Sequence, residues 1–174
     1  MNKKIAAVLL SWAMMLSFLV IIIEITQVVE APTTWYVDDV AGSGAGNPPE
    51  DFTSIQDAII ESNDGDTIYV YNGTYYENVI VNKTLNLMGE NMNTTIVDGG
   101  WADDPICVSS DWVNISGFTV THSGIDWVDA GLELHSVENC RIAYNIATDN
   151  SRGFLLYYSK RSILSGNLAI DNWD

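Results

Sequence analysis

Residues 131–150 align with residues 153–172 at an offset of 22, and this repeat constrains the fold more than any other feature of the chain. Gly131 meets Gly153, Leu132 meets Phe154, and Leu134 meets Leu156. Ile142 meets Leu164, Asn145 meets Asn167, Ile146 meets Leu168, and Asp149-Asn150 meets Asp171-Asn172. Apolar residues fall on apolar residues at alternating positions, and Gly and Asn fall on themselves. A looser copy precedes them at 113–120. One such unit cannot bury its apolar side alone, whereas stacked units share a continuous core. Successive turns then pair as parallel strands about 4.8 Å apart. Like residues stack on like, with aliphatic columns inside and Asn145 over Asn167 as a short ladder at a corner. The Leu-x-x-Leu-x-Leu frame of a leucine-rich repeat is missing.

The rest of the chain agrees with an all-β solenoid. Short β-rich runs occur at 67–70, 79–81, 85–87, 95–97, 106–108, 113–115 and 118–120, separated by Gly, Asn, Asp and Thr. Trp35-Tyr36-Val37 suits a first strand. The Gly- and Pro-rich segment at 42–49 places a loop within 32–52. One helix stands out. Thr53 can cap it, with Gln56 three residues on in a capping-box arrangement. Ile55, Ala58 and Ile59 share a face, Gln56, Asp57 and Glu61 oppose it, and Asn63-Asp64-Gly65-Asp66 stops it. A helix from about Ser54 to Ser62 followed at once by strands suits a lid over an open solenoid end.

The opening of this region, Phe52 to Ile59, Gly65 to Val70, Gly73 to Val79 and Leu87 to Gly99, resembles that of pectin-lyase-like right-handed β-helix proteins. It is most similar to the NosD-like surface and periplasmic group, whose Asn-rich repeat the 131–172 segment also resembles. The resemblance covers about residues 35–172. It implies an all-β, right-handed parallel β-helix of about 22 residues per turn, with a short N-terminal capping helix, over 53–174. That family contains pectate lyases, polygalacturonases, pectin methylesterases and members without known catalysis. The pectin methylesterase motifs Gln-Asp-Thr-Leu and Asp-Phe-Ile-Phe-Gly do not occur here, nor do the paired Asp motifs of polygalacturonases. The only Gln residues are Gln27 and Gln56. The solenoid region reads as C-terminally incomplete, because no second cap follows the last repeat.

Residues 1–31 have the pattern of an export segment. Lys3 and Lys4 precede an uncharged run at 5–23, interrupted only by Ser11 and Ser17. A secretory apolar region is usually about 7–15 residues and a membrane-spanning helix needs about 20. Val29-Glu30-Ala31 is the best cleavage point, yet Pro32 follows it. A cleaved signal and an uncleaved anchor through residues 5–23 therefore both stay open. In either case the solenoid faces the extracellular side, the cell surface or the periplasm.

With 7 basic residues against 23 acidic ones and a net charge of −16, the chain lacks a basic stripe for phosphates. A nucleic-acid partner is not expected. Polysaccharide or envelope proteins are the expected partners. Cys107 and Cys140 sit in short apolar runs and read as two buried thiols rather than a bridge.

Two acidic, Trp-bearing insertions interrupt the strand pattern. Trp101 and Trp127 offer flat faces for a sugar, with Asp126 and Asp129 flanking Trp127 as carbohydrate-binding candidates. Asp103 and Asp104 are candidate Ca2+ ligands, although calcium takes about six to eight oxygens; no other cofactor is expected. Four sequons, at Asn72, Asn82, Asn93 and Asn114, are candidate glycosylation sites. For copper, His122, His135, Cys107, Cys140, Met88 and Met92 show no metal-type spacing. The functional expectation is an exported, non-catalytic β-helix that binds carbohydrate or assembles with envelope proteins. The alternatives are a polysaccharide lyase, hydrolase or pectinesterase-like enzyme with its catalytic residues on turns absent here, and a NosD-like copper-related periplasmic protein.

Overall fold

The computed structural model describes residues 31–39 and 52–174. The apolar run at 5–23 and residues 40–51 of the expected loop lie outside the described residues. Among those described, no helix is long and apolar enough to cross a membrane.

The chain winds as a right-handed parallel β-helix of about five turns. A first sheet joins β1 (Thr34–Val37), β2 (Thr67–Val70), β5 (Asn86–Gly89), β8 (Asn114–Ser116), β11 (Arg141–Ala143) and β14 (Ile163–Ser165) in that order. A second joins β3 (Gly73–Tyr76), β6 (Thr95–Asp98), β9 (Thr119–Thr121), β12 (Ile146–Thr148) and β15 (Leu168–Ile170). A third joins β4 (Val79–Val81), β7 (Ile106–Val108), β10 (Ala130–His135) and β13 (Arg152–Tyr157). The strands pair in parallel throughout, in the register that the repeat predicts: Leu132 with Phe154, Leu134 with Leu156, Ile142 with Leu164 and Ile146 with Leu168.

Alternate residues of each strand point inward and stack turn upon turn. Ile68, Leu87, Ile115 and Ile142 form one such column, Val97, Val120 and Ala147 another, and Val81, Val108 and Leu134 a third. All are buried, and each fully buried Val, Leu or Ile contributes about 1.5–3 kcal/mol. At one corner the turns approach so closely that a Cβ on Gly117 would lie 2.2 Å from the Gly89 carbonyl oxygen; Gly117 also has φ +85. Only glycine meets both conditions.

Asn145 and Asn167 do form a ladder. The Asn145 backbone N–H and side-chain amide both donate to Asn167 Oδ1, at 2.9 and 3.2 Å. A second ladder joins Asn150 to Asn172 at the next corner, at 3.1 Å for both bonds. Asn145 and Asn150 are fully buried, and their amides bond to backbone groups of the preceding turn.

Helix α1 (Ile55–Glu61) buries Ile55, Ala58 and Ile59 against the first turn. Its cap is Ser54 rather than Thr53, with Ser54 Oγ accepting from Asp57 N at 3.3 Å. The capping-box role expected of Gln56 goes to a residue distant in sequence. The Glu77 carboxylate accepts from Ser54 Oγ, Ile55 N and Gln56 N at 3.0, 2.9 and 2.9 Å. Gln56 instead bonds to both backbone groups of Ile80 on the edge strand β4. At the other end, Lys83 Nζ donates to the carbonyls of Ile59, Ile60 and Ser62 at 2.8, 2.6 and 2.6 Å. The helix is thus pinned at both ends by opposite charges matched to its dipole.

Strand β3 was not among the β-rich runs read from the sequence. It begins on glycine and has one fully inward side chain, Tyr75, so no alternation marks it. Both cysteines are free. Cys140 is buried, but Cys107 is half-buried on the outer face of the third sheet.

Candidate functional site

The third sheet presents Ile80, Cys107, Glu133 and Leu155 in one outward row across β4, β7, β10 and β13. Two insertions flank it at the corner leading into the sheet, residues 99–105 before β7 and 122–129 before β10. Each lengthens its turn without altering the strand register. The first returns Asp104 to the edge of the row, where Asp104 Oδ1 accepts from Ala130 N at 2.6 Å. A pocket of about 170 Å3 results, lined by Asn78, Val79, Ile80, Asp103, Asp104, Cys107 and Glu133.

Its polar groups are tightly coupled. Asp104 and Glu133 are only 5% and 8% exposed. Burial, opposed by the Ala130 N–H and reinforced by the hydrogen bond and charge of Glu133, pushes the Asp104 carboxyl up to about 8. Cys107 Sγ donates to Glu133 Oε2 at 3.7 Å. Burial, followed by the charges of Glu133 and Asp104, pushes this thiol up to about 12. His135, two residues along β10, places Nδ1 3.1 Å from Glu133 Oε1 and packs its ring on Tyr157 at 5.2 Å. Asp104, Cys107 and Glu133 each bring one ligand atom within 4.8 Å of the others.

The residues singled out from the sequence separate into distinct places. Asp103, Asp104 and Asp129 converge from the two insertions, also within 4.8 Å. Asp129 Oδ2 already accepts from Asp126 N at 2.8 Å, which closes the second insertion on itself. Trp101 and Trp127 do not meet. Trp101 packs on His122 with ring centroids 4.5 Å apart and stacks with Trp173 at 6.5 Å and 28°. Trp127 is 73% exposed and makes no ring contact among the described residues. His122 Nδ1 lies 3.0 Å from Asp98 Oδ2. Cys140, Met88 and Met92 lie outside the pocket.

Of the sequons, Asn114 lies in β8 and donates to Asn86, Asn72 accepts from the Thr94 hydroxyl, and Asn93 donates to Asn91. Asn82 is exposed with no side-chain hydrogen bond among the described residues.

Sequence reasoning does not bring Glu133, which lines the pocket, or His135, which bonds to it from outside, together with Cys107. The one available signal was the register of the repeat. Extended backward through the insertion, it sets Glu133 beside Cys107.

A three-sheet parallel solenoid with an acid- and thiol-lined pocket on one outer face is a right-handed β-helix of the pectin-lyase-like architecture. A family profile described as periplasmic copper-binding protein (NosD) matches residues 56–174, and the chain belongs to that family. The solved structures it resembles include a pectin methylesterase mutant in complex with a hexasaccharide. That similarity has a TM-score of 0.56 at 15% identity, over 79% of this chain and 50% of the other. Pectin methylesterase PemA from Erwinia chrysanthemi is similar with a TM-score of 0.44 at 15% identity, over 72% and 54% of the two chains. The chain thus spans about half the length of these structures, and the likeness concerns the fold alone. No curated protein matches by sequence.

Proposed function

We propose that this chain is an exported β-helix protein that holds a copper-class metal ion in the Asp104, Cys107 and Glu133 pocket. One observation carries the reading: a thiol and two carboxyl groups from two adjacent turns converge within 4.8 Å. The donor set fits a borderline ion. Thiolate selects copper or zinc over calcium, and carboxylates complete the coordination of a divalent ion. His135, hydrogen-bonded to Glu133, is placed to orient that ligand as outer partners of metal sites do. The family's description as periplasmic and copper-binding supports the location and the ion, and the export pattern of residues 1–31 supports the location.

The test is titration of chelator-treated protein with Cu2+, Cu+ and Zn2+ by calorimetry, with bound metal counted by mass spectrometry. The expected result is one ion per chain, with Cys107→Ser and Glu133→Gln each lowering affinity at least ten-fold. Unchanged stoichiometry and affinity in the double variant would sink the proposal.

A second reading, carbohydrate binding, draws on the near-parallel stack of Trp101 and Trp173, both solvent-exposed. Aromatic faces of this kind pack against the apolar face of a sugar ring. Glycan-array binding that disappears in Trp101→Ala and Trp173→Ala supports it. An array with no signal ends it.

A further inference from the structure

The first sheet carries on its outer face a groove of about 400 Å3, built from strands that take no part in the metal pocket. One wall is a polar row along the solenoid axis, with Thr67, Asn86, Asn114 and Arg141 on successive turns and the apolar Ile163 next after Arg141. Ser116 and Ala143, in the neighbouring outward row, form a low floor. Tyr144 stands across that floor, in the same turn as Arg141.

The row is set before any ligand arrives. Asn114 Nδ2 donates to Asn86 Oδ1 at 2.9 Å, and Asn86 Nδ2 to Thr67 Oγ1 at 3.3 Å. These bonds leave Asn114 Oδ1 free to accept and one N–H of each amide free to donate. Tyr144 sits at a corner with φ +57 and is 60% exposed. Gly117 and Gly166 flank it on the adjoining turns and place no side chain beside it. Its ring lies over Gly166, where a Cβ would come within 2.7 Å of it.

Arg141 supplies the charge. Its guanidinium makes no hydrogen bond or ion pair with any described residue, although the chain carries 23 acidic residues. Arg152 and Arg161, by contrast, pair with Asp174 and Glu138. The neighbours of Arg141 in the row differ in kind. Asn114 on one side can bond to a ligand, whereas Ile163 on the other cannot. The groove therefore has a direction, polar up to the guanidinium and apolar past it.

We propose that this groove binds the C-terminal end of an extended peptide, the tail of a partner protein. The guanidinium fork matches the terminal carboxylate in bidentate geometry. Successive turns are about 4.8 Å apart, so the row from Asn86 to Arg141 spans about 10 Å. An extended chain covers about 3.3–3.6 Å per residue, so about three residues reach from the guanidinium back to Asn86. Each of those residues brings one backbone donor and one acceptor, and the two amides offer both. The hydroxyl of Thr67 continues the polar row under the incoming chain. Past Arg141, Ile163 offers nothing to a backbone, which is why the chain ends at the guanidinium rather than running through. The last side chain crosses the low floor to the ring of Tyr144, where an apolar residue packs. A simple inorganic anion uses neither the amides nor the ring. The site depends on neither the metal pocket nor the tryptophan stack.

The experiment titrates the full chain, chelator-treated, with N-acetyl-alanyl-alanyl-leucine as the free acid, by calorimetry and by chemical-shift mapping. The acetyl group removes the cationic amine that an acidic protein attracts without specificity. The comparison ligands are the same tripeptide as its C-terminal amide, acetate, glucuronate and inorganic phosphate. The free acid is expected to bind at least ten-fold tighter than any of them and to shift the signals of Asn114, Arg141 and Tyr144. Arg141→Gln is expected to cost at least ten-fold with an unchanged melting temperature, and Arg141→Lys less. Cys107→Ser and Trp101→Ala are expected to bind the peptide like the unaltered protein. No binding of the free acid, an amide, glucuronate or phosphate that binds as tightly, or full affinity in Arg141→Gln would each overturn the proposal. Loss of peptide binding in Cys107→Ser or Trp101→Ala would overturn it too, by placing the peptide at another site.

Discussion

Cys107 and Glu133 stand side by side on adjacent turns, 26 residues apart in sequence, with the thiol sulfur 3.7 Å from Oε2. That contact puts a soft donor and a hard one at a single point of the outer face. A Cu2+ ion bound there through the thiolate is expected to show an intense sulfur-to-copper absorption in the visible region. Cys107→Ser should abolish the band and leave the far-ultraviolet circular dichroism unchanged. A band that persists in Cys107→Ser assigns the ion elsewhere.

The clamp on α1 gives a prediction about stability. Lys83 directs all three of its donors at carbonyls near the end of the helix. Lys83→Met leaves those carbonyls without their charged partner and is expected to cost about 1.5–3 kcal/mol. Urea denaturation with a constant m-value provides the measurement. Glu77→Gln at the opposite end should also destabilise, since its carboxylate accepts from three donors at once.

Asn145 is fully buried and satisfies Phe118 N–H and the carbonyls of Ile115 and Ala143. Asn145→Ala strands these groups away from water, at about 1–3 kcal/mol for each unsatisfied group before relaxation. Asn114→Ala, on the exposed face of β8, should stay within about 0.5 kcal/mol. Thermal melts of the two variants side by side check the contrast.

Asp66 predicts how stability changes with acid. Burial alone would raise its carboxyl. The N–H groups of Asn63 and Thr33 and the indole of Trp35 outweigh that and hold it below the usual carboxylate value. A group lowered on folding stabilises above its unfolded pKa of about 3.9 and loses that contribution as pH falls through the lower folded value. Unfolding free energy should therefore decline below about pH 4, and Asp66→Asn should flatten that part of the profile. An unaltered acid limb in the variant would contradict the assignment.

The solenoid was legible because its physics is periodic. A parallel stack places like residues on like, so the 22-residue offset gave the register of Leu132, Leu134, Ile142 and Ile146 and the Asn145 ladder directly. The helix lid was legible from its apolar face, but its true anchors were not. Glu77 and Lys83 carry no local signal of a role in capping a helix some twenty residues earlier. The pocket was hidden for a related reason. Cys107 and Glu133 become neighbours only once an insertion of irregular length is threaded between them, and His135 joins through Glu133. Trp101 and Trp127 drew attention by composition, whereas their separation is set by where each insertion turns.

The partner across each sheet lies anywhere from 19 to 33 residues away depending on the turn. Strand pairing is indifferent to that difference, because the surplus residues leave the stack at a corner and rejoin it in phase. Such a scaffold absorbs added or lost segments without renegotiating its interior. The chemistry of one face can therefore be rewritten, segment by segment, while the stack beneath it stays the same.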